Sequence, residues 1–367
     1  MTQKVDDKKW WNLELEGMPD FEMAMKRIYA WYEGEIIDRV PVRFSSHNAE
    51  YEIVNGDKSR WKNLKERWMD VEYQVESFIK SIEGKRFLGE TFPVFWPNLG
   101  PNIFAAFYGS QLEFGEITSW AEKIINDYSQ LDKLKLDMNC EYFMKLKSLT
   151  QYALDRCEGK FMVGYTDLHP GLDCAAAWRD TQTLCFDIYD YPDELKKLID
   201  LSIESFQKVY NYFDSMLKKK NQLSVTWMNI PSFGKMHIPS CDFSAMISRE
   251  QFDEFCMPVL QKEVKAMTHN IFHLDGKGVA KHLDRILEVP EIKAIQWVQG
   301  QGLDMPIMQW VPLIKKIQAA RKSVVICIDK SELEEFISVM KPEGLFLCID
   351  SKNEEEEKKI LKRVSKW

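Results

Sequence analysis

The stretch Ile271-Phe272-His273-Leu274-Asp275-Gly276 is the part of the sequence that says most about the fold. Its apolar start is typical of a buried strand, and the glycine marks the turn that follows. His273 and Asp275 stand two residues apart, so both side chains leave the strand on the same face. This pattern is typical of an α/β barrel, in which the catalytic and binding residues follow the carboxyl ends of the strands. The alternative is structural: a hydrogen-bonded core histidine and an aspartate that caps the next helix.

Further short runs of β-branched or aromatic residues recur along the chain, with amphipathic helical patterns between them. Eight strands, most of them followed by a helix, predict a single-domain (β/α)8 TIM barrel that spans residues 1–367. A helix at about 21–32 forms an N-terminal helical extension. Long loops are predicted after the second and fourth strands, at 97–159 and 229–247. The predicted strands cover 40–44, 92–96, 160–165, 223–228, 270–273, 292–298, 324–328 and 345–349.

The composition is that of a globular protein without a nucleic-acid footprint. The formal net charge is −8, whereas binding to phosphates requires clustered lysine and arginine. No run in the sequence is long and apolar enough to cross a bilayer, so no membrane partner is expected. The 8 cysteines are scattered without a CxxC pair, which is typical of a reducing compartment. A cytoplasmic location is therefore expected.

Polar and aromatic side chains at the predicted strand ends form the candidate site. The candidate catalytic residues are His273, Asp275, Asp167 and His169, because imidazole and carboxylate groups bind metals and move protons. Asp167 and His169 have a structural alternative as loop-capping residues, and Arg43 as an ordinary ion-pair partner. The expected substrate-binding residues are Arg43, His47, Trp96, Asn98, Trp227, Gln296 and Trp297.

Common nucleotide-binding and hydrolase motifs are missing from the sequence, which has no P-loop, GxGxxG, HExxH or GxSxG. Asp167-Leu168-His169 resembles the start of the DxHxxG signature of cobalamin-binding domains. The glycine, however, follows two residues after the histidine instead of three. The chain is therefore not expected to bind a corrinoid of its own.

Nearly the whole chain resembles the uroporphyrinogen decarboxylase superfamily, through three segments in order. The first is Asp-Arg-Val-Pro-Val at 38–42, before the first strand, and the second is Ile-Ser-Arg-Glu-Gln-Phe at 247–252. The third is His-Leu-Asp-Gly-Lys-Gly-Val-Ala-Lys-His-Leu-Asp at 273–284, which runs into 294–300. The superfamily includes heme-pathway decarboxylases and zinc-dependent, corrinoid-linked methyltransferases. The order and spacing of the segments are specific for the superfamily, although not for one activity.

The methyltransferase branch of this superfamily implies a zinc site, built from His-x-Cys after the fifth strand and a cysteine near the last strand. His273, Asp275 and Cys348 stand in these places, and they would leave one open position on a bound zinc. Aspartate in place of cysteine hardens the donor set, which favours an oxygen-containing substrate. The resemblance implies two partners, a small-molecule substrate and a separate corrinoid protein, and it leaves a homodimer open.

The decarboxylase branch binds acetate and propionate arms through an arginine-rich loop after the first strand. The corresponding loop at 44–51 is Phe-Ser-Ser-His-Asn-Ala-Glu-Tyr, which has no arginine and one acidic residue. The first hypothesis is therefore a methyltransferase that moves a methyl group between a small substrate, such as an aromatic ether, and a corrinoid protein. The second is a metal-free decarboxylase, a lyase, acting on a substrate smaller than uroporphyrinogen. The third is a non-catalytic barrel that binds a ligand or a partner protein.

Overall fold

The computed structural model of the protein describes residues 13–45 and 60–367. It is a mixed α/β structure in which about half of the residues are helical and the main sheet is parallel. The strands are β1 (Val42–Phe44), β2 (Val94–Phe95), β3 (Leu112–Phe114), β4 (Ser119–Ala121), β5 (Met162–Val163), β6 (Met236–His237), β7 (His269–Asp275), β8 (Ile292–Val298), β9 (Ser323–Cys327) and β10 (Leu345–Ile349).

The helices follow most of the parallel strands and cover the outer face of the sheet. The N-terminal helical extension is confirmed: it is the first helix, and its Trp31 donates a hydrogen bond to the carbonyl of Gly344, directly before β10, at 2.9 Å. No helix in the described part of the chain is long and apolar enough to cross a membrane. The helices are α1 (Phe21–Tyr32), α2 (Leu64–Trp68), α3 (Val71–Ile82), α4 (Ile103–Ala106), α5 (Glu141–Leu154), α6 (Leu172–Arg179), α7 (Thr181–Asp190), α8 (Pro192–Lys219), α9 (Arg249–Gln251), α10 (Met257–Val264), α11 (Gly276–Ala280), α12 (Leu283–Leu287), α13 (Val311–Ala319), α14 (Leu333–Val339) and α15 (Glu354–Val364).

Six strands form one curled parallel sheet, a half-barrel, in the order β1-β10-β9-β8-β7-β6. β2 and β5 pair in parallel in a separate two-stranded sheet, and β3 and β4 form an antiparallel pair. Where strand pairing is missing between these sheets, single backbone hydrogen bonds remain. The Glu90 amide donates to the Val42 carbonyl at 2.8 Å, and the Tyr165 amide donates to the Val225 carbonyl at 2.9 Å. The parallel half-barrel is therefore established, and the closed (β/α)8 barrel stays a prediction.

The predicted fourth strand at 223–228 is corrected by the structure. Ser224 makes only an isolated antiparallel bridge with Ser232, and the strand beside β7 is β6, within the predicted loop 229–247. Hydroxyl groups replace the missing ladder, since Thr226 donates to the Tyr165 carbonyl at 3.0 Å and Ser224 accepts from the Met236 amide at 3.1 Å. Serine and threonine side chains compete with backbone pairing in this way, which shortens the strand.

A fully buried carboxylate ties the amino end of β1 to the segment before β2. Glu90 accepts hydrogen bonds from the Val42 amide at 2.7 Å and from Arg39 at 2.8 and 3.0 Å, and Arg27 adds a second cationic partner at 3.2 Å. The neighbouring Gly89 has φ +63°, and a Cβ there would lie 2.4 Å from the Val42 carbonyl oxygen. Only glycine lets the two segments approach this closely.

Candidate functional site

A cavity of about 910 Å³ opens at the carboxyl ends of β2, β5 and β7. This is the end of a parallel sheet at which α/β proteins bind their ligands. The structure brings together at this cavity six of the side chains expected from the sequence. They are Trp96, Asn98, Asp167, His169, Trp227 and His273.

His273 is held in one orientation by the neighbouring strand. It is the register partner of Gln296 in β8, and its Nδ1 lies 2.6 Å from the Gln296 Oε1. The amide oxygen can only accept, so Nδ1 donates to it, and Nε2 is the nitrogen whose lone pair the neutral ring can offer to a metal. The ring of Trp227 meets the imidazole edge to face, with centroids 5.3 Å apart. An imidazole fixed through its second nitrogen is the usual arrangement of a metal-binding histidine.

Asp242, His273 and Asp275 form a compact group, each offering one ligand atom within 4.8 Å of the other two. Asp275 occupies the N-cap position of α11, yet its side chain makes no capping hydrogen bond. Asp275 is therefore not a helix-capping side chain, which was the alternative to a functional role. With zinc–ligand bonds of about 2.0–2.2 Å, two ligand atoms lie at most about 4.4 Å apart, so small rotations would let all three share one ion.

Asp242 was not among the residues expected from the sequence. It begins the 3-10 helix Asp242–Met246, five residues after β6, in the segment predicted as a long loop. The backbone amides of Asp242 and Phe243 donate to the Asp173 carboxylate at 3.0 and 2.9 Å, which fixes this turn beside His273. Its signal in the sequence is weak, because the strand before it has only two residues.

Cys348, the expected third zinc ligand, is not a member of this group. Its Cα partners are Cys327 in β9 and Arg43 in β1, whereas Asp275 pairs with Val298 in β8. β10 lies three strands from β7, at a spacing of ~4.8 Å per strand, which separates the thiol from the carboxylate. Asp242 therefore takes the third position in the candidate metal centre, and zinc binding through His273 and Asp275 stays a prediction.

His169 lies in the same cavity as a second, cationic group. Its Nε2 is 3.7 Å from the Asp167 Oδ1, and its Nδ1 is 3.3 Å from the Ser240 hydroxyl. Burial by itself lowers the pKa of His169. The carboxylates of Asp167, Asp173 and Asp242 outweigh this effect and raise the pKa to about 9. The ring is therefore an imidazolium at neutral pH and can donate a proton.

The carboxylates at the cavity are crowded and incompletely compensated. Burial and the negative charge of Asp173 raise the pKa of Asp242 to about 6. The buried Asp167 Oδ1 makes no hydrogen bond within the described part of the chain. A buried carboxylate whose pKa is raised by a neighbouring carboxylate is typical of sites that bind a cation or move a proton.

Aromatic and apolar side chains form the outer wall of the cavity. The indole nitrogen of Trp96 is buried and makes no hydrogen bond among the described residues. Lys123 is the single lysine or arginine among the described lining residues, and it pairs with Asp180 at 3.1 Å. The apolar part of the wall includes Ile117, Trp120, Phe243 and Met246, and the charged part is mainly acidic, with Asp167, Asp173, Asp180 and Asp242. Such a pocket suits a neutral aromatic molecule better than a multiply charged anion.

Two of the expected substrate-binding residues, Trp297 and Arg43, lie away from the cavity. Trp297 is buried against Trp310, with ring centroids 4.8 Å apart, and does not line the cavity. Alternation explains this position: Gln296 faces His273, so the next residue of β8 faces the helices. Arg43 donates to the Met228 carbonyl and is also not among the lining residues. His47 lies outside the described residues.

The chain is similar in structure to a methyltransferase from Methanosarcina mazei. The two chains are 11% identical, the alignment covers 89% of this chain and 92% of the other, and the TM-score is 0.58. At this identity the comparison establishes a shared fold. No protein-family model and no curated protein matches the sequence.

Proposed function

We propose that the protein is a zinc-assisted methyltransferase of the uroporphyrinogen decarboxylase superfamily, which transfers the methyl group of a small methyl ether to a separate corrinoid protein. The main support is the group of Asp242, His273 and Asp275 at the edge of a large aromatic cavity. The structural similarity to a methyltransferase agrees with this proposal. Membership of the superfamily is part of the proposal.

The residues present suit a divalent metal. His273 has a free Nε2 lone pair, and the two carboxylates supply oxygen ligands, which leaves at least one position for a substrate atom. With aspartates in both remaining positions the donor set contains no thiolate, so it favours an oxygen ligand over a sulfur one. A zinc ion bound here would act as a Lewis acid on the ether oxygen.

The side chains of the cavity would perform the remaining steps. Trp96 and Trp227 would hold an aromatic ring, and Gln296 would keep the His273 ring oriented. When the C–O bond breaks, its electron pair stays on oxygen, which must take up a proton. The His169 imidazolium, held beside Asp167, is the proton donor in this proposal.

Decarboxylation is less well supported. The acetate and propionate arms bound in that branch need several cationic side chains, whereas Lys123 is already paired with Asp180 and Arg43 is not among the described lining residues. A smaller acid would have His169 as its cationic partner, but His169 already lies beside Asp167. A binding protein without catalysis is also less favoured, because His169 and Asp242, which line the same cavity, both have raised pKa values, as is typical of functional sites.

The test combines metal analysis with a methyl-transfer assay. Protein purified without chelators should contain about one zinc per chain and should methylate cob(I)alamin from one or more aryl methyl ethers, followed by the change in corrinoid absorbance. The sequence offers a matched control, because Asp275 and Asp284 both follow His-Leu. Asp275→Asn should lose metal and activity, while Asp284→Asn, in α12 and paired with Lys316, should keep both. Protein with far less than one metal per chain and no transfer from any ether would contradict the proposal.

A further inference from the structure

Three side chains meet at the carboxyl ends of β1, β9 and β10, outside the candidate metal centre. Cys348 has two register partners, Cys327 on one side and Arg43 on the other. Directly opposite residues in neighbouring strands have Cα atoms ~4.8 Å apart and point to the same face. A disulfide requires a Cα separation of roughly 4.4–6.8 Å. The backbone therefore already places the two cysteines at a distance that a disulfide spans.

The surroundings favour a thiolate at this thiol pair. The hydrogen bond from Cys327 and the nearby Arg43 guanidinium lower the pKa of Cys348 to about 7, although burial opposes the shift. The same thiol–thiolate hydrogen bond raises the pKa of Cys327, so the two sulfurs share one proton. Arg43 is fixed by its hydrogen bond to the Met228 carbonyl. Cys348 is 8% exposed, but Cys327 is open to solvent. Because the two sulfurs share one proton, the exposed Cys327 gives the thiolate of the pair access to a dissolved disulfide, as thiol–disulfide exchange requires.

A second pair of cysteines provides a comparison within the same chain. The sulfurs of Cys241 and Cys256 lie 3.5 Å apart. Here the hydrogen bond with Cys256, burial and the Asp173 carboxylate all raise the pKa of Cys241. Close sulfurs alone therefore do not make a reactive pair, since the raised pKa of Cys241 disfavours its thiolate.

We propose that Cys327 and Cys348 are a redox-active pair, which a low-molecular-weight organic disulfide converts into a reversible cross-strand disulfide. The thiolate of the pair attacks one sulfur of the small disulfide and releases the first small thiolate. The second cysteine then gives its proton to water and attacks the mixed disulfide, which releases the second small thiolate. In total the two protein thiols are oxidised by two electrons and one small disulfide is reduced to two thiols.

The test is disulfide mapping of the native full-length protein after treatment with oxidised glutathione. Free thiols are alkylated, and trypsin then releases the two cysteines on separate peptides, 323–330 and 331–352. We expect these peptides to be joined through Cys327 and Cys348, and to separate again on addition of dithiothreitol. Cys241 and Cys256, on peptides 236–249 and 250–262, should remain alkylated.

Variants separate the effect of Arg43 from a nonspecific oxidation. Arg43→Met should slow disulfide formation several-fold at pH 7 and move the pH profile of the rate to higher pH. Cys327→Ser, at an exposed position, should abolish the cross-link and leave the alkylation of the other cysteines unchanged. A native protein in which both cysteines stay free, or in which either cysteine stops at the mixed disulfide, would overturn the proposal. If Cys241 and Cys256 were oxidised to the same extent as Cys327 and Cys348, then neither Arg43 nor solvent exposure would determine which pair reacts.

Discussion

The carboxylates at the two ends of the strands differ in their partners: the one at the amino end has cationic partners, and those of the candidate metal centre at the carboxyl ends have no lysine or arginine partner among the described residues. At the amino end of β1, the fully buried Glu90 binds Arg39, Arg27 and the Val42 amide, so its charge is compensated. At the carboxyl ends, neither Asp242 nor Asp275 forms an ion pair with lysine or arginine among the described residues, and the pKa of Asp242 is raised to about 6. A compensated charge holds segments together, whereas crowded carboxylates cost stability and are retained where they bind something. The first cluster therefore stabilises the fold, and we propose that the second serves function.

The largest effect is expected from breaking the compensated cluster. Glu90→Ala leaves the Arg39 guanidinium, 8% exposed, without its buried partner, and should lower the free energy of unfolding by about 3–5 kcal/mol. Urea unfolding measures this loss. Glu22→Ala is the control, because its ion pair with Lys26 is exposed and is worth only about 0.3–0.5 kcal/mol. A loss below about 1 kcal/mol for Glu90→Ala would mean that the cluster does not stabilise the fold.

A smaller effect is expected from the imidazolium at the cavity. Neighbouring carboxylates outweigh burial and raise the folded-state pKa of His169 from 6.5 to about 9. The resulting stability is fully present below pH 6.5 and is lost as the pH rises through about 9. It amounts to up to about 3 kcal/mol. Unfolding free energies between pH 6 and 10 should show this decline, and His169→Gln should flatten it. An equal decline in the variant would assign the pH dependence to other groups.

The smallest effect concerns the residue that orients the candidate metal ligand. Gln296→Ala removes the acceptor for the Nδ1 proton of His273, and this should weaken metal binding by about 10–100-fold. Competition with a chelator of known affinity measures the change. Gln207→Ala, whose amide pairs with Asn211 within α8, is the control and should leave the affinity unchanged. An unchanged affinity in Gln296→Ala would mean that the His273 orientation does not depend on this bond.

The sequence predicts local features of this protein better than spatial ones. The apolar runs before His273 and Gln296 predict β7 and β8 because burial and alternation are local properties of a strand. Alternation also excludes Gln296 and Trp297 from the same face, which makes the position of Trp297 predictable in principle. Asp242 and Cys348 could not be assigned in this way. Their distances from His273 depend on where β6 begins and on how many strands separate β10 from β7.

The most direct test of the candidate metal centre compares Asp242→Asn with Cys348→Ser in a zinc titration of metal-free protein. We expect the wild type and Cys348→Ser to bind one zinc with similar affinity, because the thiol is not in the group of three ligand atoms. Asp242→Asn should bind at least about 100-fold more weakly, since it loses an anionic ligand. Loss of zinc in Cys348→Ser with retention in Asp242→Asn would contradict the account, because the metal would then be held by the thiol that the structure places three strands away.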